Sequence, residues 1–369
     1  MFPDHQVAAS LRGALAQRLA EDGSIRSPQW RAAVADVPRH VFVPAFFRQV
    51  RGEWERVSAD DPGYLTAVYG DHPLTTQLTA GRPTSSSSQP SLMVEMLEAL
   101  DVRDGDRVGE VATGTGYNAG LLCHRVGDRN VVTVEVDPGL VRLARERLAR
   151  VGYQPEVIAG DARTGLGATA GLDRLIVTCG FDAFPHALAS TVRPGGVVVC
   201  PIGWGNARMV LGHDGSLEGR FLPGGAFFMK ARGSSAPGAV PYPGEPVSTQ
   251  RGTTDVDLAE TRQDGFRFVQ ALALPGLGEA DETEGGSLVG YRVWRRDGSW
   301  AHVLGGEVRQ GGPVRLWDAL VGLYRWYVMY DRPSRERFGI TVTPHGQRCW
   351  LDFPLNTLPD IKGWQPVRR

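Results

Sequence analysis

The chain has 369 residues, of which 42% are hydrophobic and 22% charged, a composition typical of a globular protein and not of a disordered one. Its formal net charge of −1 provides no basic field, so bulk electrostatics give no support for a nucleic-acid partner. No apolar run approaches the roughly 18–20 residues that a membrane span needs, so no membrane partner is expected either.

The cysteines and the N-terminus indicate the cellular setting. Cys123, Cys179, Cys200 and Cys349 are scattered and form no Cys-x-x-Cys motif, which argues against a zinc site and against a disulfide framework. The N-terminus has no basic region followed by a hydrophobic core, so no secretory signal is predicted. We therefore expect no metal and a reducing, cytoplasmic environment.

Residues 1–90 are predicted to combine helix and extended chain. Leu11, Leu15 and Leu19 recur at helical spacing, whereas the prolines that bracket residues 37–44 favour an extended segment. Residues 84–90 contain four consecutive serines, and on composition alone this stretch reads as a flexible linker.

From about residue 91 to residue 201, short β-branched runs alternate with helical stretches of about ten residues. The strands are predicted at 107–111, 131–134, 157–158, 175–178 and 197–200. The helices are predicted at 91–100, from 117, at 140–150 and at 183–192. This alternation is typical of parallel βαβ units, so we predict a doubly wound α/β domain over residues 91–231.

Residues 232–247 are rich in glycine and proline and are predicted to be a linker or long loop. Hairpins are predicted around Asp297-Gly298 and around residues 344–346, with a helix through Leu316 and Leu320 between them. Residues 248–369 are therefore expected to form a smaller α+β module. Six of the nine tryptophans follow residue 290; we expect them to build its core, and a peptide-binding face is the alternative.

A glycine-rich loop is predicted where the first strand of the α/β domain turns into a helix. Residues 110–117 read Glu-Val-Ala-Thr-Gly-Thr-Gly-Tyr. Glycines there let the backbone approach a ligand, and the helix N-terminus presents free N–H groups. Taken alone, the loop could equally serve a dinucleotide, whose pyrophosphate would face the helix.

Acidic residues after the strands favour S-adenosyl-L-methionine over a dinucleotide. Glu135 ends the next strand, where it can accept hydrogen bonds from both ribose hydroxyls, a feature that also suits NAD. Asp161 and Ala162 follow the third strand and are placed to read an adenine amino group. Glu110 would repel a pyrophosphate but attract a sulfonium and an ammonium group. An NAD(P)-dependent oxidoreductase stays open as the alternative.

Over roughly residues 30–230, the chain resembles the protein-L-isoaspartate O-methyltransferase family. The resemblance rests on motifs at residues 37–44, 71–74, 88–90, 110–117, 151–153, 160–161, 173–178 and 193–196. It implies a Rossmann-like class I methyltransferase sheet, here with an additional C-terminal α+β module. It also implies an S-adenosyl-L-methionine-dependent carboxyl O-methyltransferase that releases S-adenosyl-L-homocysteine and acts on a peptide or protein carrying aspartate or isoaspartate.

The resemblance also implies roles for individual residues. Ser88 becomes the catalytic hydroxyl beside the cofactor and the acceptor carboxylate, so the serine run would be an active-site segment contributed by residues 1–90. Cofactor contacts are implied at Glu110, Ala112, Thr113, Gly114, Thr115, Gly116, Tyr117, Asn118, Glu135, Val136, Asp161 and Ala162. Substrate contacts are implied at Ser87, Val177, Thr178 and Cys179.

Two positions depart from the family pattern, and the C-terminal module suggests a subfamily. Ala112 stands where the family usually has Gly, and Ser91 where it usually has His. The module, including residues 337–352, is similar in arrangement to bacterial homologues associated with ribosomally made lanthipeptides, lasso peptides and graspetides. That similarity implies a peptide-recognition module and methylation of an aspartate in a modified peptide, leading to aspartimide or isoaspartate.

Two alternatives to this modified-peptide hypothesis stay open. One is a repair methyltransferase that acts on damaged isoaspartyl proteins, and the other is a catalytically silent binding protein. The sequence does not identify the acceptor peptide or the oligomeric state.

Overall fold

The structure is a computed structural model that describes residues 5–167, 169–232, 242, 244 and 250–359. The linker predicted over 232–247 lies almost entirely outside the described residues. In the described part of the chain, none of the helices is both long enough and apolar enough to cross a membrane. Within the same residues, no cluster of three or more His, Cys, Asp or Glu side chains is placed to hold a metal ion.

The N-terminal segment forms helices and an antiparallel sheet. The helices are α1 (His5–Glu21), α2 (Pro28–Asp36), α3 (Arg39–Phe42) and α4 (Tyr64–Val68). The strands are β1 (Ala45–Val50), β2 (Glu53–Ser58), β3 (Leu74–Thr79) and β4 (Arg82–Ser87), in the order β2-β1-β3-β4.

One prediction for this segment is wrong, and of the two interpretations of the serine run the linker is ruled out. Residues 39–42 are helical and not extended, because Pro38 occupies the N-cap position, where its missing N–H costs no helical hydrogen bond. The serine run is not a flexible linker, because its residues up to Ser87 form β4 and pair with β3, with Ser87 opposite Leu74.

The predicted doubly wound α/β domain is confirmed. It contains α5 (Pro90–Leu100), β5 (Val108–Val111), α6 (Tyr117–Val126), β6 (Val131–Glu135), α7 (Pro138–Arg150), β7 (Glu156–Ala159), β8 (Leu172–Val177), β9 (Val192–Ile202), β10 (Gly205–Leu211) and β11 (Leu217–Phe221). Strands β7, β6, β5, β8 and β9 run parallel in that spatial order. The helix predicted at 183–192 is only a 3₁₀ turn at His186–Thr191, because β9 already begins at Val192.

The C-terminal region forms a second sheet and extends the first. Its elements are β12 (Gln250–Thr253), α8 (Leu258–Thr261), α9 (Asp264–Ala273), β13 (Gly278–Glu284), β14 (Ser287–Trp294), β15 (Trp300–Leu304), β16 (Glu307–Gly311), α10 (Leu316–Met329), β17 (Phe338–Thr343) and β18 (Gly346–Leu351). Strands β12 to β16 form an antiparallel sheet in the order β12-β16-β15-β14-β13. Both predicted hairpins, β14–β15 and β17–β18, are confirmed.

The hairpin β17–β18 does not stay within the C-terminal module. It pairs with β11, with Val342 opposite Leu217, and so extends the parallel sheet to nine strands. One continuous hydrophobic core joins this hairpin, β9 to β11 and the helices α9 and α10. Trp317 is buried in this core and Trp326 packs against it, and Trp300 and Trp350 are buried as well, which agrees with the expectation that the tryptophans are core residues. The division into segments 1–90, 91–231 and 248–369 stays a prediction.

A glycine–tryptophan pair fixes this hairpin. Gly339 lies opposite Trp350, and a Cβ on Gly339 would come 2.1 Å from the indole ring. The ring is buried and lies beneath the guanidinium of Arg220, whose central carbon is 4.9 Å from the ring centroid. The ring therefore has little freedom to move aside.

We expect Gly339→Ala to lower the free energy of unfolding by about 1–3 kcal/mol, since it overpacks this contact. Gly252→Ala is the matched control, because Gly252 is also a strand glycine and a Cβ there meets nothing within 4 Å. The control should change stability by less than about 1 kcal/mol. Urea denaturation measures both variants, and equal effects would contradict the role of the pair.

Candidate active site

A cavity of about 490 Å³ lies at the carboxyl ends of β5, β6, β7 and β8. The order of the parallel strands reverses beside β5, and open α/β sheets bind ligands at such a point. Strand β4, the loop after β5, the ends of β6 to β8 and the segment 225–232 form its walls. The volume is in the range of small-molecule and cofactor sites.

The structure brings nearly all the predicted site residues to this cavity. Its walls include the predicted cofactor contacts Glu110, Ala112, Thr113, Gly114, Thr115, Tyr117, Asn118, Glu135, Val136, Asp161 and Ala162. They also include Ser87, Ser88, Thr178 and Cys179. The two exceptions are Gly116 and Val177.

Gly116 and Val177 take part in the packing of the domain and do not line the cavity. Gly116 has a φ of +87°, and a Cβ there would lie 3.3 Å from the Cβ of Ala144, so glycine lets α7 pack against the start of α6. Val177 is fully buried at the end of β8. Their predicted contacts with cofactor and substrate therefore find no support in the cavity walls.

The loop after β5 turns in the left-handed region of backbone space. Ala112 has a φ of +70° and Gly114 a φ of +53°. A side chain at such a position costs about 1–2 kcal/mol, which explains why glycine suits the position of Ala112. The Ala112 N–H donates to the carbonyl of Val134 at 2.8 Å, and the Thr178 hydroxyl donates to the carbonyl of Ala112 at 2.8 Å. Thr178 thus holds the loop against β8.

Glu135 is fixed by backbone donors. One carboxylate oxygen accepts a hydrogen bond from the N–H of Gly114 at 2.9 Å, and the other from the N–H of Asp137 at 3.1 Å. An ionised carboxylate offers about four acceptor positions, so Glu135 keeps the capacity to accept two hydroxyl donors from the cavity. This arrangement suits a ribose diol.

Glu110 is fully buried at the end of β5. Its carboxylate accepts hydrogen bonds from Asn118 Nδ2 at 2.7 Å and from Thr133 Oγ1 at 2.6 Å. Burial raises the pKa of Glu110 to about 7 despite these two donors. Beside it, Asn118 Oδ1 is buried and has no hydrogen-bond partner in the part of the chain that the structure describes. A buried acceptor next to an acid that is readily ionised suits a cationic N–H donor such as an ammonium group.

Asp161 is held by an arginine that the sequence interpretation did not single out. Arg163 donates to both carboxylate oxygens, with Nε at 3.0 Å from Oδ1 and Nη2 at 2.6 Å from Oδ2. The side-chain hydrogen bond from Arg163 lowers the pKa of Asp161, so the carboxylate is ionised at neutral pH. Arg163 follows Asp161 by only two residues, and the Asp-x-Arg spacing was the available signal.

Ser87, the last residue of β4, and Ser88, which follows it, differ in their hydrogen bonding. The hydroxyl of Ser87 is buried and accepts a hydrogen bond from Arg39 Nε at 3.2 Å. Ser88 is half-buried, and its carbonyl accepts from Arg39 Nη2 at 2.9 Å. Among the described residues the Ser88 hydroxyl has no hydrogen-bond partner. It is therefore the predicted catalytic group whose oxygen is available to a ligand.

Arg39 is the second functional residue that the sequence interpretation missed. Its guanidinium is fully buried and also donates to the carbonyls of Val68 at 2.8 Å and Gly70 at 3.1 Å. Burial lowers the pKa of Arg39 to about 10, so it stays charged at neutral pH. The signal was an arginine directly after Pro38 inside an otherwise apolar stretch.

Cys179 lies in the cavity wall as a neutral thiol. Burial raises its pKa to about 12, and only 9% of the residue is exposed. A thiol in that state is a poor nucleophile at neutral pH. Cys179 therefore contributes packing and not covalent chemistry.

Comparisons with known proteins agree with this geometry. The family model described as Protein-L-isoaspartate(D-aspartate) O-methyltransferase matches residues 10–219. A protein-L-isoaspartate O-methyltransferase of Methanopyrus kandleri is 35% identical over 206 residues, which cover 55% of this chain and 81% of the relative. One of Ignicoccus hospitalis is 34% identical over 190 residues, covering 51% of this chain and 80% of the relative.

The likeness of fold reaches further along the chain than the family match. A solved structure of a protein-L-isoaspartate O-methyltransferase aligns with a TM-score of 0.57 and 21% identity. The alignment covers 93% of this chain and 100% of the other, so the shared fold extends beyond residue 219 into the C-terminal region.

The raised pKa of Glu110 predicts a specific dependence of stability on pH. The folded protein favours the protonated carboxyl, so the stabilisation from that proton is complete below pH 4.5 and is lost as the pH rises through about 7. Relative to Glu110→Gln, the wild-type free energy of unfolding should therefore fall by roughly 3 kcal/mol between pH 4.5 and about pH 8. Urea denaturation across this range measures the difference, and parallel curves for the two proteins would contradict the assignment.

Proposed function

Because the chain belongs to the protein-L-isoaspartate O-methyltransferase family, we propose that it repairs damaged proteins by methylating the free carboxylate of isoaspartyl residues. The chain is an S-adenosyl-L-methionine-dependent carboxyl methyltransferase. The observation that carries the proposal is the Ser88 hydroxyl, which has no hydrogen-bond partner among residues with a described structure and lies in a cavity that also holds three strand-end acids.

The residues of the cavity fit the methyl donor of the family. When bound, S-adenosyl-L-methionine supplies a methyl group made electrophilic by the sulfonium. Glu135 would accept from the ribose hydroxyls, and Asp161 with Ala162 would contact the adenine. Glu110 and the unsatisfied Asn118 Oδ1 would hold the ammonium group. A pyrophosphate has no cationic partner at Glu110, so the oxidoreductase alternative is not supported.

The transfer needs orientation more than acid–base chemistry. A carboxylate with a pKa of about 4 is already ionised at neutral pH, so no general base is required. We assign to Ser88 a hydrogen bond that its hydroxyl donates to the acceptor carboxylate, which aligns one oxygen for in-line displacement. Such orientation can supply roughly 7–11 kcal/mol of rate enhancement. Arg39 acts through Ser88, because it fixes the backbone on which that hydroxyl stands.

The repair function is better supported than action on a modified peptide. Both relatives described above carry the name protein-L-isoaspartate O-methyltransferase. The C-terminal module was the feature that suggested a modified peptide, yet the fold of a solved protein-L-isoaspartate O-methyltransferase also extends into this region. The module therefore does not by itself mark a peptide-modifying enzyme.

One observation keeps methylation of a modified-peptide aspartate, leading to aspartimide, as a second candidate. Ser91 lies in the cavity wall where the resemblance leads us to expect a histidine. Its N–H donates to Asp71 at 2.8 Å and its hydroxyl accepts from Gln89 at 2.9 Å. The smaller side chain leaves more room for a constrained acceptor.

Acceptor competition distinguishes the two functions. We expect a linear isoaspartyl peptide to gain one methylene in mass and then lose methanol as the succinimide forms, whereas the same peptide with aspartate stays unmodified. Mass spectrometry with S-adenosyl-L-methionine measures both, and an asparagine peptide is the inert control. Methylation of aspartate but not of isoaspartate would overturn the repair function in favour of the second candidate.

Replacing Ser88 by Ala tests the orienting hydroxyl. Loss of a hydrogen bond to a charged acceptor should lower kcat about 10–100-fold. The Kd for S-adenosyl-L-homocysteine should change less than about twofold, because the cofactor contacts lie elsewhere in the cavity. Ser86→Ala is the matched control, since Ser86 is a half-buried serine two residues before Ser88 and also lines the cavity. Equal kcat values for Ser88→Ala and wild type would remove the assigned role.

A further inference from the structure

An exposed aromatic side chain forms part of the cavity wall. Phe227 lies in the segment 225–232 and is 62% exposed, although most large apolar residues of the chain are buried. Met229 lies two residues further on in the same wall and is 36% exposed. Exposed apolar side chains grouped at a cavity indicate a surface that receives a ligand.

The backbone of this segment is held in place against Gly180, which lies three residues beyond the end of β8. Gly180 donates its N–H to the carbonyl of Met229 at 2.9 Å, and the N–H of Ala231 donates to the carbonyl of Gly180 at 2.9 Å. An ion pair between Lys230 and Asp182 adds to this connection. Phe227 therefore stands on a fixed support and not on a loose loop.

The ring of Phe227 is oriented by Trp204. The two rings meet edge to face, with centroids 4.6 Å apart and planes at 87°. The N–H of Ala226 donates to the carbonyl of Trp204 at 3.1 Å, which keeps the two segments together. An exposed ring fixed in this way loses little conformational entropy when a ligand covers it.

The C-terminal module holds Trp204 from its other side. The guanidinium carbon of Arg267, on α9, lies 3.7 Å from the centroid of the Trp204 ring system. Arg267 donates to Glu279 at 3.0 Å, and Glu279 also accepts hydrogen bonds from Arg262 and Tyr291. The hydrogen bonds around Glu279 thus hold Arg267 against the Trp204 ring, which in turn orients Phe227.

We propose that Phe227 contacts a large apolar side chain next to the acceptor residue of the peptide substrate, and that Arg267 is a positioning residue for this contact. Ser88 and Phe227 line one cavity. When a peptide places its acceptor carboxylate at Ser88, a residue next to the acceptor residue therefore lies beside the Phe227 ring. A leucine or phenylalanine there covers the exposed face of Phe227, whereas an alanine leaves it in water. The inference rests on the proposed function, since it requires a peptide acceptor.

Paired isoaspartyl peptides test this inference on the full chain. They differ only in the residue before or after the isoaspartate, which is leucine or alanine. We expect wild-type kcat/KM to be about tenfold higher for a leucine peptide, and Phe227→Ala to reduce the ratio to about twofold or less. Phe227→Ala should therefore lower kcat/KM more for the leucine peptides than for the alanine peptides.

Two further variants separate positioning from general damage. Arg267→Met should reduce the leucine preference while leaving kcat on the alanine peptides near wild type. Phe353→Ala is the matched control, because Phe353 is 56% exposed but lies outside the cavity wall, and it should keep the full preference.

The outcomes distinguish the inference from the proposed function. Methylation of all the peptides with equal kcat/KM by wild type would overturn the inference alone. The same follows if Phe227→Ala weakens S-adenosyl-L-homocysteine binding instead of the leucine preference, because the ring would then contact the cofactor. No methylation of any isoaspartyl peptide by wild type would overturn the proposed function itself.

Discussion

The candidate active site depends on the buried guanidinium of Arg39, which forms no hydrogen bond to a carboxylate within the described ranges of the chain. Arg39 donates to the hydroxyl of Ser87 and to five backbone carbonyls, including those of Val68, Gly70 and Ser88. An isolated guanidinium in the interior is costly, and only near-complete hydrogen bonding offsets its desolvation. Because its acceptors belong to α4, the following loop and β4, the same bonds that satisfy Arg39 also fix the strand that carries Ser88.

The three strand-end acids of the cavity are held in three different ways. Backbone N–H groups hold Glu135, and a two-pronged arginine contact keeps Asp161 ionised. Glu110 is instead buried, with a pKa of about 7 and only neutral donors around it. A cationic ligand next to Glu110 would favour loss of its proton, so binding of the donor and ionisation of this acid are coupled. The negative charge on Glu110 would therefore form at the place where the cationic ligand binds.

The sequence predicts the parts of this fold whose signals are local. The β-branched runs and the glycine-rich loop indicated the parallel sheet and the cavity at its edge, and family resemblance located Ser88. Strand β4 could not be predicted, because Arg-Pro-Thr-Ser-Ser-Ser shows no apolar alternation and its order comes from β3 and from Arg39. The joining of β17 to β11 likewise needed long-range pairing, here between Leu217 and Val342. Contacts across more than a hundred residues leave no periodic pattern in the sequence.

The same long-range contacts determine what the C-terminal region can do. It is attached on two sides, through β17 in the central sheet and through Arg267 on Trp204. A module joined only by a linker could move independently of the cavity. This region shares a sheet and a hydrophobic core with the α/β domain, so a change in its packing also affects the cavity wall. The N-terminal segment contributes a different part of the cavity wall, where Arg39 fixes the end of β4. In the proposed function, the ends of the parallel strands would hold the methyl donor, and the two flanking regions would shape the space for the acceptor. Changes in acceptor preference could then arise in either flanking region without disturbing the proposed cofactor contacts.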